Sequence, residues 1–182
     1  MSILKVARMG HPVLRTVARP LERSEIKSSR VQSLVDDMIE TMMEYRGVGL
    51  AAPQVHEGVR LFVALLNEPD AGGDRADQAN ESDAVVVINP EITVVDPELV
   101  EDWEGCLSIP DVRGRVPRSK KIIVRALDRR AGPIEIRAAD FQARVLQHET
   151  DHLEGVLFFD RMRNLSSLTF LEEYGRYWRR AD

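Results

Sequence analysis

Residues 147–152 read Gln-His-Glu-Thr-Asp-His, and the reading of this stretch decides what is built around it. As a helix it places His148 and His152 four positions apart on one face, because the chain turns once in about 3.6 residues. Two imidazoles so placed can share one ion. Glu149 is rotated from His148 by about 100°, so it flanks such an ion without having to ligate it, and it can move protons. Phe141, Val145, Leu146 and Leu153 supply apolar positions for the helix, and Asp140 is placed to cap its start. A His-x-x-x-His pair also occurs on ordinary amphipathic helices. The interposed glutamate tips the reading towards a metal hydrolase.

The chain has 182 residues, the size of one domain with a substantial core, and residues 1–182 are read as a single catalytic domain. Hydrophobic residues make up 43 % and charged residues 30 %, which excludes wholesale disorder and fits a globular chain. A net charge of −5 argues against a protein whose main task is gripping a phosphate backbone. No stretch approaches the roughly 18 apolar residues of a membrane span, and MSILKVARMG lacks a signal h-region. With Cys106 the sole cysteine, no internal disulfide can form, so a cytoplasmic location is expected and no membrane partner.

Residues 1–25 mix apolar positions with Gly10, Pro12 and Pro20 and read as extended chain wrapping the core. Val31, Leu34, Val35, Met38, Ile39, Met42 and Met43 form the stripe of an amphipathic helix, with Ser28 or Ser29 as its cap and Gly47 placed to end it. Methionines in such a stripe are core filling. A strand is expected over residues 61–66. Residues 67–83 (NEPDAGGDRADQANESD) lack apolar periodicity and read as a solvated loop. Residues 84–88 and 92–95 are β-branched and flank Asn89-Pro90, so they form two strands or one bent strand. Residues 121–127 and 134–138 read as a hairpin. A last helix is expected to start at Leu165-Ser166-Ser167, with Leu168, Leu171, Tyr174 and Trp178 on one side. Arg176, Arg179 and Arg180 near its end complement the helix dipole. The fold class is α+β: mostly antiparallel sheet packed around a central metal-binding helix, with a C-terminal helix.

Two histidines leave an ion short of the three protein ligands of a typical catalytic site. Cys106, within Glu104-Gly105-Cys106-Leu107-Ser108, is the obvious third. A lone cysteine is otherwise a small buried hydrophobe.

Taken together, these segments resemble the peptide deformylases. Three motifs carry the resemblance: Gly47-Val48-Gly49-Leu50-Ala51-Ala52-Pro53-Gln54, Glu104 to Ser108, and Gln147 to His152. GHPVLR, SIPDVRGRVPR and LEGVLFFDR extend it along nearly the whole chain, and the C-terminal segment is similar to that of the bacterial type-I group. The chain departs from the pattern in two places. Val55-His56-Glu57-Gly58 stands where relatives often have glycine soon after the first motif, and Asp111 stands where glycine is frequent after Ile109-Pro110.

The resemblance implies a hydrolase that removes the N-formyl group from the N-terminal methionine of nascent proteins, releasing formate. Cys106, His148 and His152 would bind one divalent ion, Fe(II) in the cell, with Zn, Ni or Co as substitutes. Metal-bound water would attack the formyl carbon while Glu149 shuttles the proton. The Gln54 amide and the Leu107 backbone N–H would stabilise the oxyanion. The resemblance further implies an extended peptide paired against a strand near Gly47, Val48 and Gly49. Arg113 would stand at the rim, and Val48 and Val145 either line a methionine pocket or are plain core. Glu104 is placed to orient another group; Asp151 either supports the helix or a ligand, or is solvated surface. Because such substrates emerge from ribosomes, the C-terminal arginines are also read as a weak ribosome contact.

Two rivals remain. A zinc peptidase shares His-Glu-x-x-His but needs a third ligand downstream, typically Glu or His; no histidine follows His152, and the glutamates there are Glu154, Glu172 and Glu173. A non-catalytic metal-binding or ribosome-docking relative would be expected to have lost Glu149 or Gln54, and both are present.

Overall fold

The computed structural model of the protein describes residues 2–66 and 83–179. The polar loop read over residues 67–83 lies outside the described residues except for Asp83, and so does Arg180. In chain order the elements are α1 (Arg23–Ile26), α2 (Ser29–Glu44), β1 (Gly49–Ala51), β2 (Leu61–Leu65), β3 (Ala84–Cys106), β4 (Ile109–Leu127), β5 (Pro133–Ala139), α3 (Asp140–Leu153), β6 (Thr169–Phe170) and α4 (Leu171–Tyr177). Strands β1 to β5 pair antiparallel in sequence order, and β6 adds to β4. This is the α+β arrangement read from the sequence.

The continuous apolar run of β2 has a simple cause, because the strand is covered on both faces. Leu61, Val63 and Leu65 join Val35, Met38 and Met42 of α2 in one core. Phe62 and Ala64 point the other way and join Val145, Leu146 and Leu153 of α3. Each large side chain buried this way contributes about 1.5–3 kcal/mol. A third cluster, with Leu14, Ile109, Val116 and Phe158, surrounds Cys106.

Ser28 caps α2, accepting from the Val31 N–H at 3.3 Å. The helix does not stop at Gly47. Arg46 takes the left-handed position at φ 52, while Gly47 N–H donates to Met42 O and Arg46 N–H to Met43 O, which closes a Schellman motif. What Gly47 provides is room, since a Cβ there would meet Leu107 Cδ1 at 2.9 Å. Asp140 does not cap α3 either. Strand β5 runs straight into the helix, the extended Ala139 holds the cap position, and Asp140 opens the first turn.

Residues 84–88 and 92–95 belong to one bent strand, and it continues far beyond them to Cys106. Asn89, at φ 53, makes the first bend. Its amide is tied to Leu21, donating to the carbonyl at 2.8 Å and accepting from the N–H at 2.9 Å. Strands β4 and β5 pair as the hairpin read from residues 121–127 and 134–138, with a register running from Lys121↔Ala139 to Leu127↔Pro133. The last helix starts later than expected, at Leu171, because Thr169 and Phe170 are drawn into pairing with Val112 and Arg113. No residue of α4 is buried. Tyr174 and Trp178 meet Trp103 of β3, with ring centroids 4.9 and 5.8 Å away.

Both departures from the deformylase pattern fall on left-handed backbone: His56 at φ 68 and Asp111 at φ 61. Glycine adopts this conformation freely, and His and Asp are among the side chains that tolerate it best.

Candidate metal centre

Helix α3 carries His148, Glu149 and His152 into the interior, and the tight turn between β3 and β4 delivers Cys106 to meet them. Ligand atoms of Cys106, His148 and His152 all lie within 4.8 Å of one another. Cys106 Sγ is 3.2 Å from His152 Nε2. None of the three residues is more than 9 % exposed. One soft sulfur and two imidazoles make a donor set suited to several first-row divalent ions, so the residues present fit the metal their sequence implied.

His148 is oriented from behind. Its Nδ1 lies 2.9 Å from Glu104 Oε2, which leaves Nε2 for the ion and raises the basicity of the ring. Glu104 is held in turn by two buried arginines. Arg118 Nε and Nη2 donate to its two oxygens at 2.9 and 3.0 Å, and Arg144 Nη1 donates at 2.8 Å. Burial pushes the Glu104 carboxyl up, but the bonds from His148 and Arg118 outweigh it and hold it well below the usual carboxylate range. Burial likewise lowers His148, yet its bonds to Cys106 and Glu104 bring it out well above an ordinary histidine. His152 goes the other way, held low by burial and by the neighbouring His148.

Asp151 is not solvated surface. It is 7 % exposed and pairs with Arg118 at 2.5 Å and Arg161 at 2.7 Å. Arg118, Arg144 and Arg161 were not anticipated from sequence. Arg144 had a visible signal, since 144, 148 and 152 form one stripe at helical spacing; Arg118 lies in the charged run of β4 and had none.

Glu149 is 4 % exposed and stands beside the cluster, with Oε2 lacking any hydrogen-bond partner. Burial pushes its carboxyl up to about 7, a value suited to taking and returning a proton near neutrality. Gln54 is 1 % exposed. Its Oε1 accepts from Ala51 N–H at 2.8 Å, while Nε2 donates to Ser108 Oγ at 3.2 Å and to Cys106 Sγ at 3.4 Å. Leu107 follows Cys106 in the turn.

Gly49 Cα abuts the Glu149 carboxylate, and Val48 and Val145 pack in one apolar cluster. Arg113 lies across Gly105, where a Cβ would fall on its guanidinium. Strand β1 pairs with β2 on one edge, and its other edge pairs with no strand among the described residues.

The downstream glutamates that a zinc peptidase would need are engaged elsewhere. Glu154 is paired with Arg60, and Glu172 and Glu173 with Arg176.

A mixed antiparallel fold around a helix that presents two histidines and a glutamate to a hairpin cysteine defines a metal-binding hydrolase. The chain belongs to the polypeptide deformylase family, whose model matches residues 3–167. It is 42 % identical over 173 residues to peptide deformylase 2 of Nostoc sp., covering 94 % of this chain and 93 % of that one. It is 39 % identical over 173 residues to peptide deformylase 2 of Pseudomonas putida, with 93 % of each chain covered. Among solved structures it resembles the Met-Ala-Ser-bound class I type b peptide deformylase of Acinetobacter baumannii. There the TM-score is 0.79 and the identity 40 %, over 89 % of this chain and all of that one. The Thermotoga maritima peptide deformylase gives a TM-score of 0.77 at 38 % identity, over 90 % of this chain and 100 % of that one.

Proposed function

We propose that this protein hydrolyses the N-formyl group from the N-terminal methionine of nascent proteins, giving formate and a free amine. Cys106, His148 and His152 hold one divalent ion, Fe(II) in the cell, with Zn, Ni or Co able to replace it. When bound, the ion supplies Lewis acidity, polarising the formyl carbonyl and acidifying water. Glu149 takes the proton of the attacking water and returns it to the leaving amine. The Gln54 amide and the Leu107 N–H donate to the oxyanion, where losing one donor costs about 2.7–4 kcal/mol. The peptide lies extended along the open edge of β1 at Gly47, Val48 and Gly49, its methionine side chain directed to Val48 and Val145, with Arg113 at the rim.

The observation that carries this reading is the Glu149 carboxyl, buried, with one oxygen unpartnered, beside the Cys106, His148 and His152 cluster. Formate release from a formyl-Met-Ala-Ser peptide tests it, with Glu149→Ala run at equal metal content. Release by the parent and its loss in the variant support the assignment. A metal-loaded parent that releases no formate refutes it.

The protein acts in the cytoplasm; among the described residues no helix is long and apolar enough to cross a membrane. A weak ribosome contact through α4 belongs to the same reading. Arg176 already shares its guanidinium with Glu172 and Glu173, so less of its charge is available for that contact. Ribosome co-sedimentation that survives replacement of Arg176, Arg179 and Arg180 by glutamate removes that contact.

A further inference from the structure

We infer that Ser108 is a positioning residue that fixes which way the Gln54 amide points, an inference that rests on Gln54 donating to the oxyanion. A glutamine amide has two donor hydrogens and one acceptor oxygen. Here the oxygen is committed, because it accepts the Ala51 N–H at 2.8 Å. That contact settles the amide's orientation, since the flipped arrangement would set NH2 against a backbone N–H. One hydrogen of Nε2 is then directed to Ser108 Oγ at 3.2 Å and the other towards Cys106 Sγ at 3.4 Å. The hydrogen on the Cys106 side is the one that faces the metal ligands, and it is the one available to a developing oxyanion. The Ser108 hydroxyl holds its twin.

The setting supports a dedicated role. Ser108 is fully buried, as is Gln54 to within 1 %. The two backbones are braced by one segment, with Ala7 N–H donating to Gln54 O at 2.7 Å and Met9 N–H to Ser108 O at 2.8 Å. The turn and the Gln54 loop are thus held in place independently of the Ser108 hydroxyl. Removing the hydroxyl leaves the scaffold standing and takes away one of the two bonds that hold Nε2.

The test is a double-mutant cycle on formate release, using Ser108→Ala, Gln54→Ala and the pair, each at parental metal content. Ser108→Ala is expected to lower kcat about tenfold, the size of one hydrogen bond, and the thermal midpoint by a few degrees for the same lost bond, with KM little changed. In the Gln54→Ala background the same substitution is expected to do nothing further. The side-chain amide resonances of Gln54, identified by their loss in Gln54→Ala, should also shift in Ser108→Ala. A Ser108→Ala effect of equal size in both backgrounds, or unshifted amide resonances, overturns the inference while leaving Gln54 as a donor. Parental kcat in Gln54→Ala overturns the donor role itself, and the two failures are distinguishable.

Discussion

The Glu149 carboxylate lies directly on the Cα of Gly49: a Cβ built there would stand 2.2 Å from Oε1. The edge strand β1 and the Glu149 carboxyl therefore share one surface, and the absence of a side chain at residue 49 is what lets the carboxyl reach its place. Gly49→Ala must displace Glu149. Formate release is expected to fall by about 100-fold or more, the usual contribution of a positioned acid–base group, with metal content unchanged. Parental activity in Gly49→Ala would contradict this.

Arg118 joins two buried carboxylates, Glu104 and Asp151. Arg118→Ala leaves Glu104 with Arg144 and Asp151 with Arg161, so the cost is expected at the low end of the about 3–5 kcal/mol that breaking a buried pair takes. Because Glu104 orients His148, metal affinity should fall as well, by about 10–100-fold. Denaturant unfolding and competition with a chelator measure the two effects separately. A variant of parental stability would show that the network is dispensable.

How much of this was legible in the residues depends on what each contact leaves in the local pattern. His148 and His152 announce themselves because helical spacing alone brings them to one face. Cys106 reads as a candidate ligand only through the company of Glu104 to Ser108. Strand β3 beyond residue 95 was hidden because Asp96, Glu98, Glu101 and Asp102 make it polar. It is exposed over much of that length, and its register shifts around Asp96 and Leu99. Alternation cannot show where neither face is fully buried. The start of the last helix was misplaced for a related reason: Thr169 and Phe170 are taken by β4, a pairing partner more than 50 positions away that local propensity does not register.

Glu25 gives the fold a pH dependence of known sign. The hydrogen bond from Arg19 and the backbone N–H of Glu22 hold its carboxyl down to about 2 in the folded protein. A carboxyl lowered on folding stabilises fully above its ordinary value, and that contribution disappears as pH falls towards the folded value. The stability difference between parent and Glu25→Gln should therefore be present at pH 6, shrink below about 4.5 and vanish near pH 2. Because the pair is exposed, the difference will be small. Urea melts across this range decide it, and a difference that grows on acidification would reverse the assignment.

Loading the site with different ions separates the metal's identity from the protein's contribution. A ferrous thiolate at Cys106 is open to oxidation, so the iron form is expected to lose activity in air while zinc and nickel forms hold theirs. Any ion that binds only the folded state should raise the thermal midpoint, by the equivalent of about 2.7 kcal/mol at a hundredfold excess over Kd. Iron-loaded protein indifferent to air would argue against iron as the working ion.

The segment that braces Gln54 and Ser108 reaches further than those two residues: Ala18 N–H donates to Leu153 O at 2.8 Å, at the last residue of α3. It is bonded to residues 54, 108 and 153, so its partners are spread over most of the chain's length. Such contacts between distant residues oppose a loop-closure entropy that grows only slowly with separation. One short segment thereby ties the Gln54 loop, the turn after Cys106 and the end of α3 to one another. Loosening it is expected to disturb all three at once, where a change in any one of them would stay local.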